Sequence, residues 1–492
     1  MLNVLKEASF ESRHKSFAFQ LETVEAAARL EYAAIFHEQG LGKTKIAIDL
    51  ALTWIHQDAL DSVIIVTKKS LVRNWEQEIA MHSHFRAKTL RQDAKTLFYA
   101  FNSPARLYLT HYEACKSAPD AFALFQKTRR VGVICDESQK IKNPHSSVCR
   151  AMHSLSPGFK RRVIMSGTPI ANRPYDIWSQ IWFLDHGESL GKDFETFKRQ
   201  LNLPEDSAID QVEFEDELSG LFAKIKSFTI RKTKASSGLI LPTKEIENVS
   251  CEFAPLQRRL YVRFQKELKA EVLRDGKIVT DDAEVVLKRL LRLVQVASNP
   301  KLVDESYVEI PAKFHRLKAI VETAVAKGSK VIIWTSFTEN ADWLAEKLVS
   351  FGSARVHGKM SIDDRNAAIQ RFKTDAACKV LVATPGAAKE GLTLTVANFA
   401  VFYDRSFSLD DYLQAQDRIH RISQTATCFI FNLLVEGSID EWVGDLLAAK
   451  HIAAQLGQGD IDRSDFKQRM SYEFSTRLAE ILTPQPAAEN HE

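Results

Sequence analysis

The chain has 492 residues, of which 45% are hydrophobic and 26% charged, and its 66 basic and 63 acidic side chains leave a net charge of +3. That length allows two to four domains at roughly 100–200 residues each, with the composition of an ordinary globular protein. It excludes a membrane span, because no run of about 18 apolar residues occurs, and it confines any basic nucleic-acid surface to a local patch.

The first residues, "MLNVLKEASFESRHKSF", hold no apolar signal core, so export is not expected. From about residue 30 to 185, short apolar runs alternate with helical patterns. "YAAIF", "VIIV", "LYLT", "VGVIC" and "RRVIM" read as buried strands. Ile46, Leu50 and Trp54 repeat at helical spacing, as do Ala47, Ala51 and Ile55, and then Leu71, Trp75 and Ile79. Strand followed by helix, repeated, predicts a mainly parallel sheet covered on both faces.

Between about 187 and 305 strand signals thin and long helical stretches follow, such as "AEVVLKRLLRLVQVAS". The acidic run "PEDSAIDQVEFEDELSG" in this region reads as a solvated helix face or loop. From about 306 the strand–helix rhythm returns in "KVIIWTS", "KVLVAT", "FAVFYD" and "CFIFNLL". The expected organisation is a first α/β lobe over 1–186, a helical region over 187–305, a second lobe over 306–440 and a helical tail over 441–492. Six cysteines, Cys115, Cys135, Cys149, Cys251, Cys378 and Cys428, are scattered singly. They read as reduced thiols of a cytosolic protein with no structural zinc.

The stretch "HEQGLGKTKIAIDL" follows the strand "YAAIF" and opens a helix. Gly40 and Gly42 allow a turn whose backbone N–H groups face phosphate oxygens. Lys43 is placed to reach the terminal phosphates, and the Thr44 hydroxyl to hold Mg2+. Leu41 and Lys45 complete the candidate ATP loop. His37 stands where the strict pattern has its first glycine. Asp136 and Glu137 end the apolar strand "VGVIC". There, Asp136 is a candidate magnesium carboxylate and Glu137 the group that orients and deprotonates water. Near the end of the second lobe, "QAQDRIHRISQ" carries Arg418 and Arg421 three residues apart, expected on one face of a short helix. That lobe has no phosphate loop, so the pair reads as arginine fingers for the γ-phosphate.

These motifs resemble, in order, those of the Swi/Snf-type ATPases, a branch of helicase superfamily two. The resemblance spans roughly residues 13 to 440. It adds "FAFQLETVE" as a glutamine motif, "VIIVTKKSLVRNWEQEI" with Asn74 and Trp75, "MSGTPIANRPYDIWS", "VIIWTSFTENADWL" and "TPGAAKEGLTLTVANFAVFYD". "IRKTK", "LPTKEIENVSCEFAPLQRRLY" and "LLRLVQVASNPKLV" resemble the helical insertions of this branch. The chain departs from the family pattern at His37 (usually Asp), Gln39 (usually Met), Ser138 (usually Ala), Ser166 (usually Thr) and in "PGAAKEGL".

The resemblance implies two RecA-like lobes with helical insertions, and an ATPase that translocates on double-stranded DNA. It implies that Gln20 reads the adenine, and that Gln139, Thr168 and Gln414 couple nucleotide to DNA states. Candidate backbone grips are Lys68, Lys69 and Ser70 in the first lobe, and Thr335, Ser336, Thr384 and Lys389 in the second. Arg365, in "HGKMSIDDRNAAIQRF", serves either lobe folding or function. No strand-separating pin and no row of stacking aromatics is recognisable, so movement without unwinding is expected. A true helicase, or a DNA-bound scaffold with weak ATPase, is the competing reading. No reader module is evident, so the target is expected to come from a targeting protein partner or from DNA structure. The expected location is the cytoplasm, on the nucleoid of a bacterium or in the host cytoplasm for a phage.

Overall fold

The computed structural model describes residues 9–90, 93–170, 172–201, 208–274, 277–278, 283–388, 393–471, 477–478 and 480–481. The chain forms two compact units. The first comprises Met1–Leu203, Val212–Ile240 and Ala454–Arg463, and the second Pro204–Gln211, Leu241–Ala453 and Ser464–Glu492.

The first unit is built on seven strands: β1 (Tyr32–Ile35), β2 (Ser62–Thr67), β3 (Lys88–Thr89), β4 (Leu107–His111), β5 (Val131–Asp136), β6 (Arg161–Met165) and β7 (Thr229–Ile230). Their order is β3-β4-β2-β5-β6-β1-β7, and every pairing is parallel. β2, β4 and β5 are buried at every position, as strands covered on both faces must be. Helices α1 (Ala18–Arg29), α2 (Lys43–His56) and α3 (Val72–His82) lie on this sheet. The predicted face of α2 is its packing face: Ile46, Ala47, Leu50, Ala51 and Trp54 join Val63, Ile65 and Ile134 in one core. Parallel pairing sends every strand's C-terminal end to the same edge, where ligands bind in such sheets.

The second unit holds β8 (Lys244–Cys251), a short antiparallel hairpin of β9 (Leu273–Arg274) and β10 (Lys277–Ile278), and β11 (Val331–Trp334), β12 (Ser353–Val356), β13 (Val380–Ala383), β14 (Phe399–Phe402) and β15 (Cys428–Val435). Its main sheet runs β12-β13-β11-β14-β15-β8, again all parallel. Side chains alternate across it. Ile332 and Trp334 of β11 enter one core with Leu381 and Phe402, while Val331 and Ile333 enter the other with Val380 and Val401.

The α/β architecture with two mainly parallel sheets is as expected. The region between the lobes does more than supply helices, however: β7 adds an edge strand to the first sheet and β8 one to the second. Part of the acidic run lies outside the described residues. In the described part Glu215 is buried and meets Arg463. Beyond the second sheet come helices Ile439–Gly457 and Arg463–Arg469. The segment Ala454–Arg463 packs into the first unit. Asp460 pairs with Arg231, whose Nη1 donates to the carbonyl of Phe36 at 2.5 Å. Among the described residues no helix is long and apolar enough to cross a membrane.

Candidate nucleotide site

The site starts from strand register. Ile35 of β1 and Asp136 of β5 both align with Met165 of the intervening β6. Three loops therefore emerge side by side: the glycine loop after β1, the Ser166–Gly167–Thr168 turn after β6, and the Asp136–Glu137 pair at the end of β5.

In the loop, Gly40 has φ +84° and Gly42 φ +72°, the left-handed region that glycine enters without strain. A Cβ on Gly42 would also lie 2.6 Å from Gln20 Nε2. Lys43 opens α2, and its Nζ donates to the carbonyls of His37 (3.0 Å) and Glu38 (3.4 Å), so its ammonium folds back over the loop. Thr44 follows in the first turn, part-exposed. Leu41 is buried, and its carbonyl accepts from Gln20 Nε2 at 3.1 Å. Gln20 Oε1 accepts the Phe17 N–H at 3.0 Å, so this amide ties α1 to the loop.

His37 is fully buried. Its Nδ1 accepts the Lys232 N–H at 3.1 Å. The ring proton therefore sits on Nε2, which lies 2.8 Å from Thr23 Oγ1. Burial, then the Lys43 charge, pushes its pKa down to about 3, so the ring is neutral. Here a neutral ring joins α1, the loop and the strand extension after β7.

Lys45 corrects the sequence expectation. Its ammonium donates to Ser12 Oγ (2.8 Å) and Ser16 Oγ (2.7 Å) and pairs with Asp49. A helix turns about 100° per residue, so two positions beyond Lys43 face roughly the opposite side. Lys45 anchors the segment before α1 instead of facing the loop.

Asp136 is buried. Its Oδ2 accepts from Trp75 Nε1 at 2.9 Å and from Thr67 Oγ1 at 3.3 Å, and its Oδ1 accepts the Glu137 N–H at 3.0 Å. Burial, then the neighbouring Glu137 charge, raises its pKa to about 6. A buried, fixed carboxylate whose charge lacks a full counter-charge suits a divalent cation. Glu137 has φ +53°, a strained conformation for a side chain with a Cβ. Its carboxylate accepts from Gln139 Nε2. Gln139 Oε1 accepts from Ser166 Oγ at 3.0 Å, and Ser166 Oγ accepts the Thr168 N–H at 3.1 Å. Gln139 and Thr168 thus lie in one chain of hydrogen bonds that ends on Glu137.

Sequence reading missed Trp75 and Thr67 as partners of Asp136. Trp75 was visible as part of an apolar helix stripe and, with Asn74, in a motif of the resembled family, neither of which says where its indole N–H goes. Lys68 is part-buried, and Lys69 and Ser70 are exposed, directly after Thr67.

In the second unit Thr335 and Thr384 directly follow the paired residues Trp334 of β11 and Ala383 of β13. Thr335 is fully buried and its hydroxyl donates to Asp404 at 2.6 Å. It is a structural hydroxyl here, a correction to its expected phosphate contact. The Ser336 N–H donates to the other Asp404 oxygen at 2.6 Å, which leaves the part-exposed Ser336 side chain outside that bond. Thr384 is 7% exposed, and its N–H pairs with Val356. Lys389 lies outside the described residues. Gln414 is buried, with Nε2 on Asp410 at 2.6 Å. Arg365 clasps the carbonyls of Gly358 and Met360, so it shapes its own loop.

Contrary to the expectation of one short helix, Arg418 and Arg421 do not share a helix. The helix Leu409–Gln416 ends before them, and both sit in the turns that follow. Gln424 braces these turns: its amide donates to the carbonyls of Ile419 (2.9 Å) and Ala397 (3.0 Å). Arg418 is buried. Arg421 is part-exposed, with Nε on the Asp417 carbonyl (2.8 Å) and Nη1 on Thr393 Oγ1 (3.2 Å).

Comparison with known proteins bears on this arrangement. Residues 20–302, more than half of the chain, match the SNF2-related domain, and residues 312–423 match the helicase conserved C-terminal domain. The chain belongs to the SNF2-related family. It is therefore a Swi/Snf-family member of the superfamily-two ATPases, whose nucleotide is ATP with a divalent metal. It is similar to the DNA repair and recombination protein RAD54-like of Gallus gallus, 28% identical over 458 residues that cover 82% of this chain and 61% of the relative. The protein of that name from Homo sapiens is 28% identical over 456 residues, 82% of this chain and 60% of the relative. The chain thus spans about three-fifths of the length of these relatives. Its structure is similar to the Sulfolobus solfataricus SWI2/SNF2 ATPase core in complex with dsDNA, with a TM-score of 0.42 and 23% identity over 94% of this chain and 98% of that one.

Proposed function

We propose that this SNF2-related chain hydrolyses ATP with Mg2+ and uses the cycle to move along double-stranded DNA, remodelling DNA structures or protein–DNA complexes. One observation carries this reading: phosphate loop, Ser166–Gly167–Thr168 turn and Asp136–Glu137 pair gather at the ends of three adjacent parallel strands. The glycine conformations, the folded-back Lys43 and the buried Asp136 fit a nucleotide triphosphate and its cation. That group supplies the phosphoanhydride whose cleavage drives the cycle.

The chain's own residues divide the work. Gly40, Leu41 and Gly42 offer backbone donors, and Lys43 an ammonium, to phosphate oxygens. Thr44 and Asp136 hold the cation. Glu137, steered by Gln139, takes a proton from water. Gln20 sets the loop against α1 and faces the base. We assign Arg418 and Arg421 to the charge that develops on the terminal phosphate, with Arg421, the more exposed of the two, as the principal group. Gln139, Thr168 and Gln414 relay nucleotide state.

The DNA grip rests on Lys68, Lys69 and Ser70, one residue beyond the Thr67 that touches Asp136. Ser336, Thr384 and Lys389 are the candidates in the second unit. Contacts of this kind read the backbone without sequence. The names of the relatives, DNA repair and recombination proteins, support a DNA substrate. In the cell we assign the protein to the cytoplasm, on bacterial nucleoid DNA or phage DNA in a host, brought to its target by a protein partner.

The deciding experiment measures phosphate release with no DNA, single strands, duplex and branched DNA. Stimulation by duplex, together with displacement of a triplex strand but no unwinding of a fork, is expected. Robust fork unwinding would replace this reading with a strand-separating helicase. No DNA-stimulated release at all would leave a DNA-bound scaffold.

A further inference from the structure

Gln39 sits in the phosphate loop between Glu38 and Gly40 and is 5% exposed. Its Nε2 is buried and has no hydrogen-bond partner among the described residues. A buried amide donor left unmatched is uncommon, because the group has lost water without replacing it. The same side chain lies against the turn after β6. A Cβ built on Gly167 would be 2.5 Å from Gln39 Cγ and 3.0 Å from its Nε2. Only glycine at 167 leaves room for Gln39 in this position.

The turn touched by Gln39 is the one that reaches Glu137. Ser166, next to Gly167, donates to Gln139, and Gln139 donates to Glu137. Contacts therefore run from the phosphate loop through Gln39 and Gly167 to the water-activating carboxylate, across the ends of β1, β6 and β5. The unmatched donor lies at the loop end of that line.

We propose that Gln39 is a terminal-phosphate ligand: its Nε2 donates to an oxygen of the γ-phosphate of a nucleoside triphosphate, and the Gln39–Gly167 contact then sets the turn that orients Glu137. This inference rests on the nucleotide-hydrolysis reading above. It goes beyond the loop's backbone and Lys43 by adding a side chain that distinguishes triphosphate from diphosphate.

Gln39→Met tests it, because Met keeps length and packing against Gly167 and removes the amide with its unmatched donor. Two measurements are made on the full chain: thermal midpoint without nucleotide, and affinity for ATP and ADP in the Glu137→Gln background, where turnover is blocked. Removing an unmatched buried donor raises the midpoint of the nucleotide-free protein. Losing a hydrogen bond to a charged oxygen weakens ATP binding about tenfold and leaves ADP binding unchanged. Gln39→Ala, which loses packing as well, lowers the midpoint and weakens ATP binding to a similar degree. An unchanged ATP-to-ADP affinity ratio in Gln39→Met would overturn the proposal while leaving the ATPase reading intact. A wild-type protein that binds neither nucleotide would overturn both.

Discussion

Glu137, the proposed general base, has a strained backbone and lies beside Gln139. Glu137→Gln keeps the hydrogen-bonding shape and removes the base. Nucleotide binding is expected to persist while phosphate release falls by roughly 10²–10⁴-fold. Equal turnover in the variant would move the base elsewhere. Trp75 is the second test at this scale, since its indole N–H holds the buried Asp136 carboxylate. Trp75→Phe keeps most of the packing and should destabilise the protein by about 2 kcal/mol, read from urea unfolding.

The buried histidines give a pH signature. His37 and His153 are held neutral, with pKa values pushed down to about 3 and about 4, chiefly by burial. Unfolded, each titrates near 6.5, so below that pH the unfolded chain binds more protons than the folded one. Stability should fall as pH drops from about 6.5, by about 1.4 kcal/mol per pH unit for each group. Asp136, raised to about 6, works in the opposite direction below that pH, since its folded form binds the extra proton. Two groups outweigh one, so a urea midpoint that stays flat between pH 6.5 and 5 would contradict the neutral histidines.

At the scale of elements, the second unit is fastened at the C-terminal edge of its sheet by Asp404, just beyond β14. Its carboxylate accepts from Ser298 (2.7 Å), Thr335 (2.6 Å), Asn340 (3.3 Å) and the Ser336 backbone (2.6 Å). Asp404→Ala leaves several of these donors unmatched in the interior and should cost about 3 kcal/mol or more, measured by chemical unfolding. The strands that bury both faces, such as β2, β5, β11 and β14, were legible because burial demands an unbroken apolar run. β8 was not: as an edge strand with several exposed positions it reads Lys-Glu-Ile-Glu-Asn-Val, with no run to see. The candidate site divides the same way. Lys43, Asp136 and Glu137 follow from short local spacing. The Trp75–Asp136 bond joins residues 61 positions apart, a distance over which sequence periodicity carries no information. Lys45 misled for the opposite reason, since adjacency along the chain hides the rotation of a helix.

At the scale of the whole molecule, a chain of two compact units should bind nucleotide through the one that carries Lys43. A non-hydrolysable triphosphate at a hundred times its dissociation constant should stabilise that unit by about 2.7 kcal/mol. Calorimetry should show the gain in the wild type and lose it in Lys43→Ala; an equal gain in the variant would put the nucleotide elsewhere.

The Arg231–Asp460 pair bears on biosynthesis. The carboxylate that secures the residue clasping Phe36 lies 229 positions beyond Arg231, so the ribosome delivers it long after the strands it serves. Residues Leu241–Ala453, the bulk of the second unit, are made between Arg231 and its partner Asp460. A nascent chain stalled between Ala453 and Asp460 would carry every strand of both sheets but leave Arg231 without that carboxylate.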